Sequence, residues 1–119
     1  KAKANWQASM AKLIEKNKIS TAIGQIVLSK LKTTNQLEDL KNCNIVIEAI
    51  VEDIDVKQKL FSDIEKVVAE NCVLASNTSS LSITSIASAC KNPERVIGIH
   101  FLLHKQSKIQ FGNDFQIGI

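Results

Sequence analysis

The sequence predicts an α/β fold with a parallel sheet, because strand-like and helix-like segments alternate from Ile45 to His100. The strongest strand signal is the run IVIEAIV at residues 45–51, which is apolar on both faces and is interrupted only by Glu48. Right-handed crossover connections make successive strands in such a unit parallel. The carboxyl ends of the strands therefore share one edge of the sheet, and this edge is where α/β folds bind ligands.

Two amphipathic helices are predicted before the sheet. Apolar residues at helical spacing indicate a first helix from about Ala2 to Lys16. A second helix begins after Ser20 or Thr21 as its N-cap. Gly24 within it costs about 1 kcal/mol relative to alanine, so its own sequence stabilises this second helix less than the first.

The other elements follow from capping and turn residues. Asp53 is placed to cap a helix with one apolar side, and Ser82 is placed to cap a shorter one. Pro93 cannot continue a helix and forces a turn. The remaining predicted elements are a possible short strand at residues 31–34, a helical turn near 37–40, and strands at 72–75 and 96–99.

The composition is typical of one intracellular soluble domain. The chain has 119 residues, 45% of them hydrophobic, and a net charge of +3, which is too small to indicate a nucleic-acid partner. No apolar run approaches the roughly 20 residues of a membrane span. The three cysteines (Cys43, Cys72 and Cys90) are widely spaced and odd in number, which favours reduced, buried thiols over disulfides or a metal site.

Lysines are concentrated at the start of the chain. Up to Lys32 there are seven lysines and only one acidic residue, Glu15. The simpler interpretation is that they form solvated helix faces. The alternative is that some of them attract a phosphate-rich ligand such as coenzyme A. The sequence also begins without methionine, as if within a helix, so we expect it to be a fragment.

Polar residues with chemical potential stand at two predicted strand ends. Asn77, Thr78, Ser79 and Ser80 follow one strand, and His100 follows the next. Such hydroxyl clusters are most often loop and cap residues, and a lone histidine there is most often structural. Residue types and spacing alone therefore do not assign chemistry to this edge.

The segment SNTSSLSIT at residues 76–84, followed by His100 and Phe101, resembles the NAD-binding domain of the 3-hydroxyacyl-CoA dehydrogenase family. The resemblance continues backward through VIEAIVEDIDVKQKLF at residues 46–61, and more weakly to about Lys12. It implies an incomplete Rossmann-type parallel sheet that lacks the first βαβ unit and follows an N-terminal helical pair. It also divides the chain into a partial NAD-binding domain, residues 1–101, and a divergent tail, residues 102–119.

The resemblance assigns catalytic roles to two residues. His100 matches the general base that takes the proton of the 3-hydroxyl group as hydride leaves for NAD+. Histidine suits this role because it can take up and return a proton at physiological pH. Ser79 matches the residue that hydrogen-bonds the reacting oxygen of the substrate, where a hydroxyl can either donate or accept.

Four further residues match cofactor-binding positions. Asn77 matches the residue beside the nicotinamide end of NAD, whereas Ala49, Glu52 and Lys57 match positions around its ribose and pyrophosphate. The competing interpretation of Lys57 is an exposed helical lysine. Glu48 is interpreted as a polar strand-end residue rather than a catalyst.

The sequence departs from the family pattern in several places. The Gly-x-Gly-x-x-Gly turn of dinucleotide-binding folds is absent, since none of the four glycines falls in that pattern. The carboxylate that orients the catalytic histidine is expected twelve residues after His100, where this chain has Gly112. The C-terminal helical domain that completes the substrate pocket and forms the family's homodimer is also missing from the sequence. We therefore predict that the chain alone turns over negligibly.

Other catalytic motifs do not fit. His100 and His104 are four residues apart, but a His-Glu-x-x-His zinc site needs glutamate at position 101, which is Phe101, so no metal is expected. A hydrolase pair of Ser79 and His100 lacks the Gly-x-Ser-x-Gly turn.

Two interpretations from different functional classes remain. The first is a fragment of an enzyme that uses NAD to oxidise an acyl-CoA substrate, 3-hydroxyacyl-CoA, to 3-oxoacyl-CoA, either on its own or within a multifunctional β-oxidation protein. The second is a degenerate, non-catalytic binding or interaction module that keeps the core of the fold and associates through an unpaired sheet edge.

Overall fold

The computed structural model describes residues 1–100, which fall into two compact units, residues 1–35 and the residues from 36 onward. The first unit contains helices α1 (Ala2–Glu15) and α2 (Thr21–Lys30), which confirms the predicted helical pair. The Ser20 hydroxyl caps α2 by accepting a hydrogen bond from the Ile23 amide at 3.2 Å. The short strand predicted at residues 31–34 is wrong, because this segment has no regular structure.

Gly24 allows the two helices of the first unit to approach closely. It is buried, and a Cβ atom built on it would lie 2.8 Å from Cδ1 of Ile14 on α1. A side chain at this position would therefore displace Ile14. Gly24 lowers the helix propensity of α2, but it also makes a packing contact that any larger residue would disturb.

The second unit is a three-stranded parallel sheet with helices in its connections, which confirms the predicted α/β class. Within this unit, a 3-10 helix, Leu37–Leu40, precedes the sheet. The sheet unit then contains β1 (Ile45–Glu48), α3 (Ile54–Glu65), β2 (Val73–Ser76), α4 (Ile83–Ala87), a second 3-10 helix (Pro93–Arg95) and β3 (Val96–Gly98). The strand order is β1-β2-β3.

The core of this unit lies between the helices and the central strand. Phe61 and Ile64 of α3 pack with Leu74 of β2 and Ile86 of α4, and all four side chains are buried. Fully burying each such side chain stabilises the fold by roughly 1.5–3 kcal/mol. This apolar contact holds α3 and α4 against the sheet and so fixes where their first turns lie.

Strand β1 is shorter than predicted and is partly exposed. It ends at Glu48 rather than Val51, because the Glu48 carboxylate accepts a hydrogen bond from the Ile50 amide and turns the chain. Although the strand is apolar on both faces, Ile45 and Ile47 are 48% and 45% exposed in the described part of the chain. Among the described strands, β1 forms one edge of the sheet.

The register aligns the carboxyl ends of all three strands. Glu48 pairs with Ser76, and Ser76 pairs with Gly98. Beyond the last pair, the Ile99 amide donates to the Ser76 carbonyl at 2.9 Å. His100 therefore leaves the sheet beside the turn that follows β2.

All three cysteines are free thiols, but the predicted burial is confirmed only for Cys72, since Cys43 and Cys90 are half-buried. In residues 1–100, none of the helices has the length and apolar character that crossing a lipid bilayer requires.

Candidate active site

Three chain segments meet at the carboxyl edge of the sheet. The segment after β1 carries Ala49 and Glu52, the turn after β2 is residues 77–80, and His100 follows β3. The first turn of α3 adds Lys57, because Asp53 caps that helix by accepting from the Val56 amide at 3.0 Å. The cap starts the helix at a point from which Lys57 faces the ends of the strands.

A buried ionic network lies directly behind this edge. The Lys57 ammonium donates to one carboxylate oxygen of Glu48 at 2.6 Å, and both side chains are only 1% exposed. The Ser76 hydroxyl donates to the other oxygen at 2.6 Å. The network thus joins β1, β2 and α3 through one carboxylate.

The pKa of Glu48 reflects two opposing effects. Burial alone raises the pKa of a carboxyl group, because it disfavours the charged form. Hydrogen bonds from Lys57, Ser76 and the Ile50 amide outweigh burial and lower the pKa below its usual value. Glu48 is therefore an ionised, fully partnered carboxylate, and the prediction that it is a polar strand-end residue is confirmed.

A second carboxylate, Glu52, binds the turn after β2. Its Oε1 accepts from the Thr78 hydroxyl at 2.7 Å, and its Oε2 accepts from both the amide and the hydroxyl of Ser79, each at 3.0 Å. The Lys57 ammonium lies 3.5 Å from Oε1. Unlike Glu48, the Glu52 side chain is 36% exposed, so it is reachable from solvent.

These donors hold Glu52 in its charged form. The Thr78 hydroxyl, followed by the Ser79 amide, lowers the pKa of Glu52 to about 2 from the usual 4.5. A carboxylate in this state only accepts hydrogen bonds. Glu52 therefore presents a fixed negative charge and acceptor oxygens at the edge of the sheet.

The structure places the predicted site residues in two groups. Ala49, Glu52, Asn77, Ser79 and His100 are exposed at the carboxyl edge, and Glu52 contacts Ser79 directly. Asn77 is anchored through its backbone, whose amide donates to the Glu48 carbonyl at 2.9 Å.

Lys57 forms the second group alone, because it is buried. The interpretation of this residue as an exposed helical lysine is wrong. Its Nζ is engaged by Glu48 and by the Ile50 carbonyl, at 2.6 and 3.4 Å. A cofactor-binding role for Lys57 stays a prediction. From its buried position, the Lys57 ammonium lies 3.5 Å from Glu52, the carboxylate that is exposed at the sheet edge.

The sequence interpretation missed Thr78, which is buried and links two parts of the site. Its hydroxyl donates to Glu52 and accepts from the Leu81 amide at 3.0 Å. Thr78 is thus a buried donor that holds Glu52, the residue matched to a ribose-binding position. Its neighbours in the turn, Asn77 and Ser79, are exposed. No local signal in the sequence separates Thr78 from the serines beside it.

The exposed residues fit a dinucleotide in two respects. Glu52 offers a partly exposed carboxylate, which can accept a hydrogen bond from a ribose hydroxyl. Ala49 places a small side chain at the end of β1, which allows a ligand to approach the backbone. Glu52, Ala49 and Asn77 are the residues that would hold the cofactor.

Comparison with known proteins decides the family. The profile of the 3-hydroxyacyl-CoA dehydrogenase NAD-binding domain matches residues 1–105. The chain belongs to this family. The matched domain is the one that binds NAD, which agrees with the cofactor that the resemblance implies.

Individual members of the dehydrogenase family give the same result. The chain is 44% identical over 93 residues to a 3-hydroxybutyryl-CoA dehydrogenase of Clostridioides difficile, a match that covers 78% of this chain and 33% of that enzyme. It is 37% identical over 95 residues to a glyoxysomal fatty acid β-oxidation multifunctional protein of Brassica napus, covering 80% of this chain and 13% of that protein.

A solved structure supports the fold assignment. The crystal structure of 3-hydroxybutyryl-CoA dehydrogenase from Escherichia coli matches with a TM-score of 0.81 and 35% identity, over 84% of this chain and 21% of that one. The partial Rossmann-type sheet is therefore that of the family. The chain spans about a third or less of the relatives that it matches.

Proposed function

We propose that this chain is part of an enzyme that oxidises 3-hydroxyacyl-CoA to 3-oxoacyl-CoA with NAD. The observation that carries the proposal is the alignment of β2 and β3, which brings the Ser79 turn and His100 to one edge of a sheet whose family binds NAD. The acyl-CoA substrate and the homodimer implied by the family resemblance belong to the whole enzyme and are part of this proposal.

His100 and Ser79 divide the chemistry between them. His100 is the general base for the 3-hydroxyl proton in oxidation and returns that proton in reduction. Ser79 hydrogen-bonds the same oxygen as a donor, because the one proton of the alcohol goes to His100. When bound, NAD+ supplies the acceptor for the hydride that leaves C3.

Glu52, Ala49, Asn77 and Lys57 complete the proposed cofactor site. Glu52 accepts a hydrogen bond from a ribose hydroxyl, Ala49 leaves room beside the backbone, and Asn77 lies next to the nicotinamide end. The buried charge of Lys57, 3.5 Å from Glu52, supports this arrangement by holding the carboxylate in place.

The catalytic proposal is best tested in the frame of a complete relative. In a chimera, residues 1–100 replace the matching segment of the Clostridioides difficile enzyme, while its own glycine-rich turn and second domain are retained. We expect NADH oxidation with acetoacetyl-CoA, and a loss of about 100-fold or more in kcat when His100 is changed to glutamine. A folded, NADH-binding chimera whose rate does not depend on His100 would contradict the proposal.

The 119-residue chain itself provides a complementary test. We expect it to bind NADH, detected by fluorescence anisotropy, and to turn over acetoacetyl-CoA negligibly because it contains neither the glycine-rich turn nor a carboxylate at position 112. Rapid NADH oxidation by the purified chain would contradict the second expectation.

The non-catalytic alternative is favoured by a different observation. Strand β1 lies at an edge of the described sheet, and its Ile45 and Ile47 side chains are exposed. Such an edge is a template for pairing with another chain. An interaction module predicts concentration-dependent dimers in light scattering that an Ile47→Lys variant abolishes, whereas a stable monomer counts against it.

A further inference from the structure

The acceptor positions of Glu52 are almost all occupied by the protein itself. A carboxylate offers about four lone-pair positions on its two oxygens. The Ser79 amide and hydroxyl fill both positions on Oε2, and the Thr78 hydroxyl fills one on Oε1. The ammonium of Lys57 lies 3.5 Å from Oε1 on the buried side. A ligand hydroxyl that approaches from solvent therefore has to replace a donor already in place.

The three donors differ in how easily they are replaced. Thr78 is buried and its oxygen is also bonded by the Leu81 amide. The Ser79 amide belongs to the backbone of the turn. The Ser79 hydroxyl is exposed and turns about a single bond, so it is the donor that an incoming hydroxyl replaces with the least rearrangement.

The hydrogen bond to Glu52 also determines whether the Ser79 hydroxyl can donate to a substrate or only accept from it. Because an ionised carboxylate only accepts, the single hydroxyl proton of Ser79 points at Oε2. In this state Ser79 presents only lone pairs to a ligand. It cannot donate to a carbonyl until the bond to Glu52 is broken.

We propose that Glu52 couples binding of the cofactor to recognition of the substrate. When a ribose hydroxyl of the cofactor binds to Glu52, it displaces the Ser79 hydroxyl from the carboxylate. The hydroxyl proton of Ser79 is then free to bond the substrate carbonyl. Glu52 is then a positioning residue for Ser79 as well as a cofactor ligand. The coupling rests on the proposed function, since it requires the ribose at Glu52. It predicts that Ser79 and the cofactor compete for one carboxylate oxygen.

This competition has a testable consequence for NADH binding by the chimera described above, which retains the glycine-rich turn of the complete enzyme. A Ser79→Ala variant leaves a position on Oε2 free, so NADH no longer has to displace a hydrogen bond. We expect its NADH affinity to rise about threefold to tenfold, the equivalent of one modest hydrogen bond. The neighbouring, exposed Ser80→Ala variant is the matched control and is expected to bind NADH like the unchanged chimera.

A double-mutant cycle with Glu52→Gln locates the effect. The gain from Ser79→Ala is expected to fall sharply when residue 52 is glutamine, because the carboxamide has one acceptor oxygen instead of two and no charge to strengthen the bond to the ribose. Fluorescence titration of NADH against the four chimeras measures every corner.

The outcomes separate the two proposals. If NADH binds but Ser79→Ala binds equally well or more weakly, the coupling is overturned and the proposed function stands. If Ser79→Ala gains affinity to the same extent beside Glu52→Gln, the route through Glu52 is overturned. If none of the chimeras binds NADH, the proposed function fails and the coupling fails with it.

Discussion

Glu48 and Glu52 are four residues apart, both contact Lys57, and yet they differ in almost every other respect. Glu48 is 1% exposed and joins β1 to α3 and β2 through Lys57 and Ser76. Glu52 is 36% exposed and holds only the turn that carries Ser79. One carboxylate is buried behind the sheet edge, and the other is reachable from solvent at that edge.

The difference shows how one lysine serves both stability and a ligand site. A buried charge needs a partner, so Glu48 and Lys57 constrain each other tightly. The same ammonium lies 3.5 Å from the second carboxylate, Glu52, and attracts its negative charge while that side chain stays within reach of solvent. The inner pair fixes the geometry, and the outer carboxylate remains available for exchange with a ligand.

The largest expected effect comes from breaking the inner pair. Lys57→Met leaves the Glu48 carboxylate buried without its cation, and we expect a loss of about 3–5 kcal/mol in the free energy of unfolding. Urea denaturation at neutral pH, followed by circular dichroism, measures this loss. Replacing both partners by apolar residues, Glu48→Leu with Lys57→Met, is expected to recover much of the stability.

Lys59 provides the matched control on the same helix. It pairs with Asp63 at 2.9 Å, but its side chain is 80% exposed. Lys59→Met is expected to change the unfolding free energy by about 0.5 kcal/mol or less. If Lys57→Met cost no more than Lys59→Met, the inner pair would not be the structural anchor of the edge.

A smaller loss is expected at the far end of α3, where a half-buried carboxylate binds the loop before β3. Glu65 accepts from the Lys91 and Asn92 amides at 2.7 and 2.9 Å and pairs with Arg95 at 3.3 Å. Glu65→Gln weakens these charge-assisted bonds, so we expect a loss of about 1–3 kcal/mol. NADH affinity, measured on the same sample, is expected to stay unchanged. A parallel fall in NADH affinity would show that the edge depends on the whole helix rather than on Lys57.

Local signals in the sequence predicted where the helices of the second unit begin. Asp53 and Ser82 were placed as caps from their residue type and the apolar spacing that follows, and both accept from an amide three residues ahead. The parallel arrangement followed from the alternation of elements. These features depend on neighbours a few residues apart, which a single sequence contains.

The burial of Lys57 could not be predicted in the same way. Its partner Glu48 is nine residues away and meets it only after α3 packs against the sheet. The exposed side of β1 was missed for a related reason, because an apolar residue such as Ile47 does not reveal whether another element covers it. The predicted roles of Ser79 and His100 came from the resemblance, whereas the bond between Ser79 and Glu52 emerged only from the structure.

The smallest expected effect concerns the outer carboxylate and its dependence on pH. Because the folded-state pKa of Glu52 is lowered to about 2 from 4.5, its bonds to Thr78 and Ser79 stabilise the fold above pH 4.5 and lose that contribution as the pH falls through about 2. The carboxyl carbon of Glu52, observed by NMR, is therefore expected to keep its ionised chemical shift down to about pH 3. Thr78→Val removes the strongest of the stabilising bonds and should move the midpoint toward 4.5, whereas Ser80→Ala should leave it in place. A Glu52 midpoint near 4.5 in the unchanged chain would mean that the turn does not hold this carboxylate, and Ser79 would then be free to donate without any cofactor.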